Sequence, residues 1–307
     1  MHSNARAHNP HTHETATKTG RAFAIGIALN IVFVVVELVF GLLANSLSLI
    51  ADATHNFSDV LGLVLAGGAS ALARRPPSTR FTYGLRGSTI LAALGNAMLL
   101  LVATGGIAWE AILRFKSPGA VNEWTMIWVA VFGVLVNVGT AWLFMAGRKS
   151  DLNIRAAYLH MAADAGVSLG VAVAGIAILF TGWIWLDPAA SLLIVTVIFV
   201  STWGLLRDAI KLALHAAPES VDPLDVRRYL AELPGVAEVH DLHIWGMSTT
   251  ETALTAHLVM PAGHPGDEFL AGVIHQIGDR YRIGHATIQI ETGTSAKPCI
   301  LAPDHVV

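Results

Sequence analysis

The chain is short of charge and nearly without sulfur nucleophiles. Of its 307 residues only 13% are charged, and 54% are apolar. Ordinary soluble domains carry about 25% charged residues. A soluble core of this size cannot hide so much apolar surface, so the shortage of charge points to a membrane protein. The single cysteine, Cys299, excludes a disulfide framework and a cysteine-rich zinc module. A formal net charge of −3 argues against a nucleic-acid partner. The first 20 residues are polar and contain no apolar run, so no cleavable signal peptide is expected.

What is present is apolar sequence in long runs. Six stretches, near 22–43, 49–72, 86–113, 125–147, 156–180 and 184–206, have the length a bilayer core demands. They are separated where polar or helix-breaking residues gather, such as Arg74-Arg75-Pro76-Pro77 and Lys116-Ser117-Pro118-Gly119. The basic residues predict the orientation. With both termini inside, the inner segments hold Arg6, Lys18, Arg21, Arg74, Arg75, Arg80, Arg86, Arg148, Lys149, Arg155, Arg207 and Lys211, and the outer ones only Arg114 and Lys116. Trp109, Trp124, Trp128, Trp183 and Trp185 fall near the predicted outer ends, as an interfacial belt does.

After Arg207 the pattern changes. Asp222 to Leu233 reads as a helix, with Asp222-Pro223 at its start. Val236 to Trp245 and Thr252 to Met260 read as strands, Gly266 to Tyr281 as a helix, and Ala286 to Glu291 as a third strand. The expected organisation is a tail over 1–20, a six-helix membrane domain over 21–207, and a small α/β domain over 208–307 that is cytoplasmic by the orientation above.

Ionisable groups in hydrocarbon are costly, so each needs a reason. The predicted spans contain Glu37, Asp52, His55, Asp59, Glu110, His160 and Asp164, and no Lys or Arg away from a helix end. Carboxylates without basic partners repel one another unless protons or a cation join them. His55 and Asp59 are i and i+4, on one face of a helix, and His160 and Asp164 repeat that spacing. Their two segments run in opposite directions, and both pairs reach toward mid-bilayer. Two imidazoles and two carboxylates suit tetrahedral Zn²⁺, while the lack of thiolate argues against Cu(I). A lone polar residue in a membrane helix is often interhelical glue. Two identical pairs without basic partners are harder to explain that way. Asp52 reads as a supporting or entry-path residue, and Glu37, Asn30 and Asn137 as packing or cavity-lining groups. Gly166 and Gly170 form a G-x-x-x-G step that suggests close helix contact.

The stretch Ser46-Leu-Ser-Leu-Ile-Ala-Asp-Ala-Thr-His-Asn-Phe-Ser-Asp59, followed by Tyr158-Leu-His-Met-Ala-Ala-Asp164, resembles the cation diffusion facilitator family, and its zinc branch in particular. Val239-His-Asp-Leu-His-Ile-Trp245 is also typical there. The resemblance implies a multi-pass α-helical protein of six transmembrane helices with a C-terminal metallochaperone-like, ferredoxin-like α/β domain. It implies a homodimer that exports Zn²⁺, with Co²⁺ or Cd²⁺ as further candidates, in exchange for protons. His55, Asp59, His160 and Asp164 would form the transport site. His240, His257 and Glu291 fall where members place cytoplasmic ligands, and His285, Cys299, His11 and His13 are further candidates. The loop from Arg74 to Arg86 has no histidine or acid, so a metal site carried there by some members is expected to be absent. The expected location is a bacterial plasma membrane, with both termini cytoplasmic.

Two rival readings differ in class. A membrane metalloenzyme needs an open ligand position and a general base. No H-E-x-x-H pattern occurs, and four protein ligands would close the site, so no enzymatic activity is expected. A metal-sensing scaffold would do its work in the soluble domain alone.

Overall fold

The computed structural model of the protein describes residues 28–117, 119–145, 152–293 and 299–302. His11 and His13 lie outside the described residues. The membrane-type helices are α1 (Ala28–Leu43), α2 (Leu47–Ala73), α3 (Ser88–Lys116), α4 (Glu123–Met145), α5 (Leu152–Thr181) and α6 (Leu186–Ala213). Five of them, α2 to α6, are long and apolar enough to cross a bilayer. The described part of α1 is shorter. Their outward faces are apolar: Val102, Trp142, Leu193 and Phe180 are among the most exposed large side chains. A helix apolar on its exposed face has lipid as its natural solvent. Observed ends lie within a few residues of the predicted ones, except that α6 continues seven residues further, to Ala213.

Two compact units divide the chain. One combines residues 1–63 with 98–203, and the other combines 64–97 with 204–307. The core of the first includes Leu49, Met126, Ala130, Val171, Ile178 and Ile198. Small residues set the close approaches. A Cβ on Gly133 of α4 would stand 2.5 Å from Phe33 Cζ of α1 and 2.9 Å from Ser168 Oγ of α5, and one on Gly175 would stand 2.9 Å from Ile127 Cγ1. Gly166 and Gly170 face open space, with nothing within 4 Å. The tight contact expected of their G-x-x-x-G step is therefore absent. α4 and α5 meet at Gly133 and Gly175 instead.

The turn between α1 and α2 is held from two sides. Asn45 takes a left-handed conformation (φ 53), and Arg114 of α3 donates to its backbone oxygen at 2.6 Å and to its side-chain oxygen at 2.8 Å. The buried carboxylate of Asp187, in the first turn of α6, accepts from the Ser46 and Ser48 hydroxyls at 2.6 Å each. It also accepts from the Leu47 and Ser48 amides, at 2.7 and 3.2 Å. These amides open α2 and have no carbonyl of their own helix to meet. An anion there is also favoured by the helix dipole.

The second unit holds α7 (Pro223–Ala231), β1 (Glu238–Gly246), β2 (Thr252–Val259), α8 (Asp267–Tyr281) and β3 (Ile283–Glu291). Asp222 caps α7 through the Leu224 amide, with Pro223 in the first turn. The sheet order is β1-β2-β3; β1 and β2 are antiparallel, and β2 and β3 are parallel with α8 as the crossover. Val226, Leu230, Leu254, Leu258, Ile277 and Ile283 form its core. β3 starts three residues earlier than predicted, at Ile283. The same unit includes the α2–α3 connection, where Arg86 pairs with Glu251 at 2.8 Å and the Thr249 amide donates to Thr89 Oγ1 at 3.1 Å.

Candidate metal centres

α2 and α5 bring the two His-x-x-x-Asp pairs together. His160 Nε2 lies 3.2 Å from Asp59 Oδ2 and 3.6 Å from Asp164 Oδ2. His55 Nε2 lies 3.8 Å from Asp59 Oδ2 and 3.8 Å from Asp164 Oδ1. Each imidazole thus faces both carboxylates. Asp59, His160 and Asp164 offer ligand atoms that all lie within 4.8 Å of one another. His55 stands at the edge of this set, its ring 6.2 Å from that of His160 and nearly perpendicular. His55 Nδ1, Asp59 Oδ2 and Asp164 Oδ2 are buried and have no hydrogen-bond partner among the described residues. Buried polar atoms are normally paired, and a divalent cation would satisfy both carboxylate oxygens.

Behind this site lies a polar network that the sequence did not reveal as connected. Ser168 Oγ donates to Asp52 Oδ2 at 3.0 Å, and Asn56 Nδ2 donates to Glu37 Oε2 at 3.3 Å and leans toward Asp52 Oδ1 at 3.5 Å. Glu37, Asp52, Asn56 and Ser168 are all fully buried. Ser168 follows Asp164 by one turn of α5, and Asn56 follows His55 in α2, so both ligand helices are tied to this network.

The second cluster lies in the α/β part. His240, His257, Glu291 and Cys299 also place ligand atoms within 4.8 Å of one another. His240 and His257 are cross-strand partners, with rings 5.3 Å apart, and Glu291 ends the next strand. Glu291 reaches His257 Nδ1 at 3.1 Å and His240 Nε2 at 3.4 Å. Cys299 Sγ lies 3.7 Å from His257 Nδ1. Both ring nitrogens of His240 are buried and make no hydrogen bond among the described residues, which fits a site for a cation rather than a satisfied core histidine. Burial pushes the Glu291 carboxyl up, but hydrogen bonds from Gln289 and Cys299 and the nearby His240 and His257 hold it below its ordinary value.

Not every candidate joins this cluster. His285 is exposed and packs its ring on Tyr83 at 5.6 Å. It shares a strand face with Glu291 but lies six residues away, roughly 20 Å along β3. Asp241, in contrast, was overlooked. Its carboxylate faces His257 Nε2 at 3.3 Å and His243 Nε2 at 2.8 Å. A bulge between His240 and His243, with Asp241 at φ 49, lets adjacent residues both look toward β2.

Comparison with known proteins fits this geometry. Residues 23–212 match the cation efflux transmembrane domain, and residues 218–293 match the cation efflux protein cytoplasmic domain. The chain belongs to the cation efflux family. Relatives include the metal cation efflux system protein CzcD of Cupriavidus metallidurans, 37% identical over 92% of this chain and 89% of that protein. Zinc transporter ZitB of Escherichia coli is 38% identical over 94% of this chain and 91% of its own length. The cadmium, cobalt and zinc/H(+)-K(+) antiporter of Bacillus subtilis is 35% identical, covering 85% of each chain. Family membership makes this a multi-pass membrane protein of a transporter family, and both candidate clusters fall within the matched domains except for Cys299, which lies beyond residue 293.

Proposed function

We propose that this chain exports a divalent metal cation, zinc foremost, from the cytoplasm in exchange for protons. It does so by alternating access around His55, Asp59, His160 and Asp164. The observation that carries the reading is the crossed site, in which each imidazole faces one carboxylate of its own helix and one of the other. Zinc, cobalt and cadmium in the printed names of the relatives support the cargo, and H(+) in one of them supports the counter-ion. The protein acts as a transporter rather than an enzyme.

Metal ligands must shed their protons before binding, so zinc arriving from the cytoplasm releases protons from the two histidines. Opening to a more acidic side returns those protons and weakens the site. Residues 21–207 form the membrane domain, and the basic residue bias places both termini in the cytoplasm of a bacterial plasma membrane. Residues 208–307 form a cytoplasmic domain through which two copies pair, as the dimer-domain match suggests. There His240, His257, Glu291 and Cys299 hold a regulatory zinc.

Purified protein in proteoliposomes tests the reading. Zinc uptake is expected to follow an imposed pH gradient and to vanish in Asp164→Ala. Flux indifferent to the gradient would sink the exchange, and full flux in Asp164→Ala would sink the site.

A further inference from the structure

Glu37 and Asp52 meet inside the helical bundle, where one side-chain amide, Asn56 Nδ2, lies 3.3 Å from Glu37 Oε2 and 3.5 Å from Asp52 Oδ1. Two buried carboxylates that share one donor repel each other, and a proton held between them relieves that repulsion. Both residues are fully buried, and neither forms an ion pair with a Lys or Arg among the described residues. The titratable groups facing the pair are His55 on α2 and Asp164 on α5, and α4 contributes none beyond Glu123. Glu37 Oε1 is buried and receives no hydrogen bond from any donor among the described residues. An oxygen so placed, beside a second carboxyl, is where a proton is held.

We propose that the Glu37–Asp52 pair is a proton-binding site separate from the metal ligands, loaded while the cation site is empty and emptied when the cation arrives. The inference rests on the exchange reading above. Asp52 Oδ2 is bound by Ser168, one turn beyond Asp164 on α5. Asn56, beside His55 on α2, holds Glu37 Oε2 and leans on Asp52 Oδ1. A divalent cation entering between α2 and α5 brings two positive charges to the end of this short network. The field of the cation favours a fully ionised acid pair, so the shared proton leaves to water. When the cation departs, the acids again repel each other and a proton returns. No covalent step is involved, and charge balances as one proton out for part of the charge brought in. The exchange then draws on a proton other than those of the histidines.

Proton release decides it. Zinc chloride is added to the purified full-length protein in weakly buffered detergent solution near neutral pH, with a pH-indicating dye and calorimetry run in parallel. Glu37→Gln keeps the side-chain shape and an oxygen for the Asn56 amide but has no carboxyl proton to release. It is expected to bind zinc and to release about one proton fewer per transport-site zinc than the wild type. Equal release from both proteins overturns the inference and leaves the exchange reading standing. No release from the wild type overturns the exchange reading itself. Should Glu37→Gln not fold, infrared difference spectra of the wild type serve instead. Loss of a protonated-carboxyl band on zinc addition supports the site, and an unchanged carboxyl region overturns it.

Discussion

His160 Nε2 lies closer to Asp59 of the opposite helix, at 3.2 Å, than to Asp164 of its own, at 3.6 Å. The site is therefore held across the helix pair. A cation bound there joins α2 to α5, and removing one ligand disconnects both. In a His240→Ala background, which removes the α/β cluster from the measurement, His160→Ala is expected to lower zinc affinity by more than about 100-fold. Calorimetry on the purified protein checks this. Affinity within a few-fold of the parent would place the cation elsewhere.

How much of this was legible in the sequence depended on whether one helix or strand carried the relation. The His55/Asp59 and His160/Asp164 spacings follow from the helical period, so their faces were readable. Which helix faced which was not, because no period links residues in different helices. Glu37 and Asn56 are nineteen positions apart and meet only because the chain turns back at Asn45. The strand period placed His285 on the face of Glu291 but could not say that the candidate cluster lies three pleats away. Asp241 was hidden by the opposite failure. In a regular strand it would point away from His240, and the bulge cancels that rule. Gly166 and Gly170 had the motif without the contact, while Gly133 and Gly175 had the contact without the motif.

The α/β cluster is expected to bind zinc in a pH-dependent way set by its histidines. Glu291 is held below its ordinary carboxylate value, so it stays ionised through mildly acidic solution. Its contribution to the folded state is likewise present above the ordinary carboxylate value and lost only as pH falls through the lowered one. Zinc binding should therefore weaken with falling pH before Glu291 is protonated, because protons compete with the cation for its other ligands. Titrating zinc into an Asp164→Ala protein across pH checks this. A midpoint below that of a free carboxylate would assign control to Glu291 instead.

Asp187 should matter more than an exposed acid. Its buried carboxylate accepts from two hydroxyls and two amides at the start of α2. Hydrogen bonds to a charged group contribute about 1.5–3 kcal/mol each, and an unmade buried one costs at the same scale. Asp187→Ala is expected to destabilise the protein by about 3 kcal/mol or more. Asp187→Asn should cost less, since an amide oxygen in the place of Oδ1 still accepts from three of the four donors. Thermal unfolding in detergent ranks the three proteins, and equal midpoints would remove Asp187 from any anchoring role.

The Arg86–Glu251 pair makes the contrasting case. It is 2.8 Å long, but both side chains are more than a third exposed, at 38% and 43%. Exposed pairs contribute about 0–1 kcal/mol. Arg86→Ala is expected to leave the unfolding midpoint almost unchanged, and the difference from wild type should shrink further at high salt. A large loss of stability would mean that Arg86 does more than pair with Glu251.

Two glycines in neighbouring helices separate packing from composition. Gly133→Ala places a methyl 2.5 Å from Phe33 Cζ and 2.9 Å from Ser168 Oγ, inside contact distance of both. Phe33 is fully buried and has no free direction in which to move. Overpacking of this kind costs about 1–3 kcal/mol. Ser168 also donates to Asp52, so the shift reaches the network behind the metal site. Gly166→Ala adds the same methyl where nothing lies within 4 Å, and it sits in the middle of α5. Alanine is the better helix former by about 1 kcal/mol in water, so that change should be neutral or stabilising. The expected result is a lower unfolding midpoint and reduced zinc flux for Gly133→Ala, with neither loss for Gly166→Ala. If the two substitutions behave alike, α4 does not meet α1 and α5 at Gly133. The Ser168–Asp52 bond would then lose its structural support.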